Sequence, residues 1–142
     1  MIMKKIALFI VTIFITAGCE KDAFNDNFSF LYGDWTLTQL NVGTSSPDPI
    51  VIGEEIQFIK NNSYNIIKEN KIVESGEIDV EMQTEDYLSL TLVANKIDQG
   101  YNPQVKISGQ SLIVSYTEES SISLHNQATD AGFISIWLSK SE

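Results

Sequence analysis

From Asp34 to Ser139 the apolar residues fall in short runs, alternate with polar ones, and are separated by turn-forming residues. A period of two sends successive side chains to opposite faces of a strand, so one face of each run can be buried. No window repeats apolar residues at i, i+3, i+4 and i+7 for long enough to form a core-packed helix. Runs at a spacing of about ten residues with tight turns between them predict an antiparallel barrel or sandwich.

The runs can be placed individually. Asp34–Val42 begins with Trp35 and Leu37 on one face and shifts phase to Leu40 and Val42, which predicts a bulge near Gln39. Glu54–Lys60 carries Ile56 and Phe58, and Ser63–Lys68 carries Tyr64 and Ile66, with Asn61-Asn62 as a two-residue hairpin between them. Lys71–Met82 has Ile72, Ile78, Val80 and Met82 in phase, with Gly76 marking a bulge or bend and Glu69-Asn70 as the turn before it. Tyr87–Val93 aligns Leu88, Leu90 and Leu92. Gln104–Ser108, Ser111–Thr117 and Phe133–Ser139 complete eight strands, or nine if Ile122–Leu124 adds one. The expected fold is therefore all-β, an antiparallel eight- or nine-stranded arrangement.

The first eighteen residues have a different character. Lys4 and Lys5 precede an apolar stretch, Ile6 to Ile15, and the small residues Thr16-Ala17-Gly18 lead into Cys19. That is the layout of a secretory signal peptide. The apolar stretch is too short for the ~20 residues a membrane-spanning helix needs. Thr16-Ala17-Gly18-Cys19 resembles the lipobox of bacterial lipoproteins, in which the cysteine is acylated after cleavage. Thr16 stands where that motif usually has an aliphatic residue. The resemblance implies a lipidated Cys19, attachment to the bilayer by its acyl chains, and residence in the cell envelope at the outer membrane. Stable anchoring needs at least two chains, which such maturation supplies. Cys19-Glu20-Lys21-Asp22 is similar to a weak form of the surface-export signal of Bacteroidetes-type lipoproteins; an ordinary solvated linker reads equally well. The expected division is a signal peptide at 1–18, a lipidated cysteine and tether at 19–30 with one helical turn before Gly33, and a β domain at 31–142.

A second resemblance lies at the head of the first strand. Leu31-Tyr32-Gly33-Asp34-Trp35 resembles the Gly-x-Trp motif that opens lipocalin-like barrels, and Glu55–Phe58 with Ser63–Ile66 is similar to their second hairpin. This implies a lipocalin-like up-and-down barrel whose base is plugged by the Trp35 indole, with Gly33 allowing the chain to turn into the strand. Trp35 could equally be a core tryptophan of another β fold. Lipocalins commonly stack a late arginine on that tryptophan. This chain has no arginine, so Lys140 must serve or the contact is missing.

Composition narrows the function. Nine lysines against nineteen acids give a net charge of −10, which disfavours nucleic-acid binding because phosphate neutralisation needs clustered cations. A single cysteine and a single histidine, His125, leave no Cys-based zinc site and no paired-histidine metal motif. His125 has no nucleophile-elbow motif near it. The acid pairs Glu54-Glu55, Glu85-Asp86 and Glu118-Glu119 read as solvated strand ends, since adjacent residues on a strand point to opposite faces. Asp98, Asn102 and Asp130 lack the spacing of a calcium loop. Neither an enzyme nor a cofactor or metal site is expected. Two roles remain: binding a small apolar or amphipathic ligand in the barrel mouth, or acting as an interaction module for an envelope protein. For the first, the loops Gly43–Gly53 and Lys96–Pro103 bring Ile50 and Tyr101 as apolar contacts and Asp98 and Asn102 as polar ones.

Overall fold

A computed structural model describes residues 22–42, 54–103, 106–126 and 134–142. The signal peptide, Cys19, the Gly43–Gly53 loop with Ile50, and Asp130 lie outside the described residues.

The chain folds as a closed antiparallel up-and-down barrel of eight strands in sequence order, with the last strand pairing the first. The strands are β1 (Gly33–Val42), β2 (Glu54–Ile59), β3 (Ser63–Lys68), β4 (Lys71–Gln83), β5 (Leu88–Ile97), β6 (Ser111–Glu118), β7 (Ser121–Asn126) and β8 (Ile134–Lys140). Closure leaves no outer strand without a neighbour, which removes the edge that an open sheet would expose. The expected bulge in β1 lies between Leu37 and Gln39, where the register against β8 shifts. Glu69 and Asn70 both take positive φ, 52° and 61°, as a two-residue primed turn requires.

Eight strands form, but not the first eight expected: the strand expected at Gln104–Ser108 is missing among the described residues, and the optional one at Ile122–Leu124 is β7. Lys106–Ser108 is not a strand; Ile107 is buried against the barrel and Gly109 turns the chain at φ 81°. Ser121–Asn126 is the strand instead, joined to β6 by a tight turn at Glu119-Ser120. The hairpin after β2 is also one residue longer than expected. Ile59 pairs with Ser63, so the turn is Lys60–Asn62 and Asn62 alone takes positive φ, 62°.

In β4 the single-phase reading fails. Ile72 and Met82 are exposed, whereas Val73, Glu74 and Ile78 are buried. Two extra residues in β4 explain this, Val73 against β3 and Glu81 against β5, because each reverses which face the following side chains take. At Ser75/Gly76 the extra residue is Asn95 of β5, and the phase of β4 from Glu74 to Ile78 is unbroken.

The segment read as a tether is packed from Ala23 onward. Asp26–Leu31 forms a 3-10 helix capped by Asn25, whose side chain accepts from the Asn27 N–H at 3.1 Å. Phe24, Phe28 and Leu31 are buried in the core, and the Phe24 and Phe58 rings meet edge-on with centroids 5.9 Å apart. The packed unit therefore begins before residue 31.

This helix closes one end of the barrel over Trp35. The indole is fully buried, and its Nε1 donates to the Leu31 carbonyl at 2.8 Å. Lys140 takes the place of the missing arginine. Its Nζ lies 4.7 Å from the centre of the Trp35 ring and donates to the Phe30 and Tyr32 carbonyls. Burial holds the Lys140 ammonium below the usual lysine value, against the pull of Asp34 and Glu119. Gly33 leads into the strand at φ 119°, and an added Cβ would stand 3.4 Å from the Lys140 Nζ. A side chain there would both strain the backbone and crowd the cation. Lys140→Met keeps the length of the side chain but strands two carbonyls and removes the cation from the ring. The expected loss is about 1–3 kcal/mol in a urea titration; a stability equal to wild type would show that the contact contributes nothing.

Candidate functional site

Strand direction separates two ends of the barrel. The 3-10 helix, the turns Lys60–Asn62, Thr84–Tyr87 and Glu119-Ser120, and the C-terminus gather at the closed base. The Glu69-Asn70 turn and the connection from Asp98 to Gln110 lie at the opposite end, the mouth.

Among the described residues, the barrel is filled between its ends. Trp35, Ile56, Tyr64, Leu88, Leu90, Leu92, Leu112, Ile122 and Leu124 are each less than 2 % exposed. Inward-facing leucines and aromatics of this size occupy the interior of an eight-stranded barrel. The cavity left at the mouth, lined by Leu37, Leu40, Glu54, Ile56, Glu74 and Tyr101 among others, has about 10 Å³ for a water centre. That is room for about one water.

Two carboxylates and two phenols form the polar wall of this end. Glu54 opens β2 and is 8 % exposed; Glu74 sits in β4 and is 3 % exposed. Ile66 of β3 pairs with both Ile56 of β2 and Glu74 of β4, and Glu54 is in phase with Ile56, so the two acids lie on the inward side of the two strands that flank β3. The Tyr64 hydroxyl donates to Glu74 Oε1 at 2.7 Å, and the Tyr101 hydroxyl donates to Glu54 Oε2 at 3.2 Å. Lys68 Nζ stands 3.8 Å from Glu54 Oε1. A buried carboxylate is costly unless hydrogen-bonded, and these phenols meet that need. The second bond also ties the 98–110 connection to β2 across the mouth.

Burial first, then the acceptor carboxylates, push the Tyr64 and Tyr101 hydroxyls well above the ordinary tyrosine value of 10.0. The sign of the consequence follows. Below about pH 10 both states keep these protons; above it the unfolded chain releases them while the folded chain holds them, so stability falls as pH rises. Denaturation midpoints taken from about pH 8 to about pH 11 are expected to fall above pH 10, and less steeply in Tyr64→Phe. Parallel slopes in the two proteins would show that Tyr64 does not carry the effect.

The residues expected at a ligand site separate. Tyr101 is half-buried and lines the mouth cavity. Asp98 is ion-paired with Lys71 at 2.8 Å on the outer surface, and Asn102 is exposed. Among the described residues no three His, Cys, Asp or Glu side chains gather as a metal site would need. His125 lies in β7 opposite Ile113 and Ser135.

Glu85, Asp86, Glu118 and Glu119 are exposed, as solvated strand ends should be, but Glu54 is not. The alternation already contained this. Glu54 shares its parity with Ile56 and Phe58, and Glu74 shares its parity with Ile78, so both acids belong to inward faces.

An eight-stranded barrel is a fold compatible with ligand binding. No family model, no curated protein and no solved structure matches this chain.

Proposed function

We propose that this chain is an acylated lipoprotein of the bacterial cell envelope, attached to the outer membrane through Cys19, and that its barrel is a non-enzymatic interaction module. The observation that carries the second half is the filled interior. A carrier of fatty acids or sterols needs a pocket of about 300–1,000 Å³, and the mouth cavity has about 10 Å³ for a water centre. A partner is then met by the outside of the barrel. Among the described residues, three of the five exposed large apolar side chains are on β4 and β5 away from the base: Ile72 is 53 %, Val93 43 % and Ile97 44 % exposed. Lys96 flanks them, together with Lys71, whose ammonium is paired with Asp98. Exposed aliphatics beside cations suit a protein surface with apolar and acidic groups.

Two measurements test the two halves. Cys19→Ser is expected to move the protein from the membrane fraction to the soluble fraction, because no acyl chains can then be attached. A variant that stays membrane-bound ends the lipoprotein reading. Titration with fatty acids, sterols and haem-like compounds is expected to leave the tryptophan fluorescence without a saturable change. Saturable one-to-one binding of any of them would restore the ligand-carrying role.

A further inference from the structure

The point at which the chain leaves the barrel fixes which way the barrel can face. Asp22, the first described residue, lies beside Asn62 and Gln83, at the base and on the β3–β4 side. The segment after it is held there: the Asn25 N–H donates to Gln83 Oε1 at 2.9 Å, and Phe24 is buried. The chain cannot swing away from the base without unpacking that ring. Only three peptide steps separate Asp22 from Cys19, and a fully extended chain covers at most about 11 Å in that distance. The ten residues of β1, Gly33–Val42, run from base to mouth. At the usual rise and tilt of barrel strands they make the barrel about 25 Å tall.

We infer that the closed base faces the headgroups of the anchoring bilayer and that the mouth opens toward the aqueous side. This inference rests on acylation of Cys19. A mouth-down arrangement would need the tether to span the full height of the barrel, more than twice its reach. The consequence is functional. Ile72, Ile97, Lys71 and Lys96 stand at the mouth end and are presented away from the anchoring membrane, so their partner is a protein that approaches from the aqueous compartment, not lipid drawn from the same bilayer. The base is unsuited to that role. Its exposed rim carries Asp26, Glu85, Asp86, Glu118 and Glu119 against Lys60, and like charges there keep acidic surfaces away.

The test uses the full acylated protein in vesicles of phosphatidylethanolamine and phosphatidylcholine that contain headgroup-nitroxide phosphatidylcholine. The chain has one cysteine, and acylation consumes its thiol, so a single introduced cysteine is the only site a thiol-reactive fluorophore can label. Glu85→Cys labels the base and Asn102→Cys the mouth; both positions are exposed and lie outside strands. The expected result is that the base label loses most of its fluorescence to the nitroxide while the mouth label keeps most of its own. Equal quenching of the two labels, or stronger quenching at the mouth, overturns the orientation. Wild-type protein that fails to float with the vesicles overturns the anchoring itself, and the orientation with it. Circular dichroism of each labelled variant, matched to wild type, confirms that the comparison is between folded barrels.

Discussion

Trp35→Ala is expected to lower the stability of the barrel by about 3–5 kcal/mol, a large part of the ~5–15 kcal/mol that a domain of this size has. Three losses add. The indole is fully buried, so its removal leaves a cavity that the strands around it cannot close. The Leu31 carbonyl loses the donor that holds the 3-10 helix over the base. Lys140 loses the ring beneath its ammonium, 4.7 Å away, and keeps only the Phe30 and Tyr32 carbonyls. Urea denaturation measures the sum, and Trp35→Phe is expected to fall between wild type and alanine because it restores part of the volume and none of the hydrogen bond. A midpoint unchanged in Trp35→Ala would mean that the base is closed without the tryptophan.

The second large effect is expected from a single methyl group. A Cβ at Gly76 would stand 2.0 Å from the Val93 carbonyl oxygen, 2.8 Å from the Val93 carbonyl carbon and 2.9 Å from the Ala94 Cα. All three are backbone atoms of the neighbouring strand, so no side chain can rotate out of the way. Gly→Ala at an unstrained position usually stabilises by about 0.4–1 kcal/mol through the unfolded chain. Here the sign reverses. β4 and β5 must part at the Ser75/Gly76 register shift, and Gly76→Ala is expected to cost at least about 3 kcal/mol, at or above the upper end of overpacking effects. Thermal unfolding followed by circular dichroism checks this; a variant as stable as wild type would show that the two strands can separate there at little cost.

Both effects arise where the sequence was informative in different degrees. Gly33, Trp35 and the phase shift near Gln39 could be read directly, because each is a local signal: a positive-φ residue before a strand, a large aromatic at its head, and a slip in alternation within nine residues. The Glu69-Asn70 turn and the Leu88, Leu90 and Leu92 face were equally local. Lys140 on Trp35 was legible only as a requirement, since the pairing that delivers it joins residues 35 and 140 from opposite ends of the barrel sheet. At the mouth, parity placed Glu54 and Glu74 on inward faces, yet charge argued for the surface. The tyrosine partners that resolve the conflict come from β3 and from the 98–110 connection, and no spacing in the sequence relates them.

Alternation and turn chemistry by themselves determined that this chain is all-β and antiparallel with eight or nine strands, because both act over a few residues and every strand repeats them. Which eight segments became strands was a tertiary decision. Ile107 and Ile122 sit in similar alternating surroundings, but closing the barrel needed a strand between β6 and β8, and the mouth needed a cover. The three register shifts along β4 were also decided by its neighbours. A strand that must pair with β3 on one side and β5 on the other keeps register by bulging at Val73 and Glu81, with Asn95 as the matching bulge of β5, and each bulge reverses the faces that the sequence pattern assigns to its own strand. The filled interior has the same origin: period two says which side chains point inward, and only closure at eight strands fixes how little space remains between them.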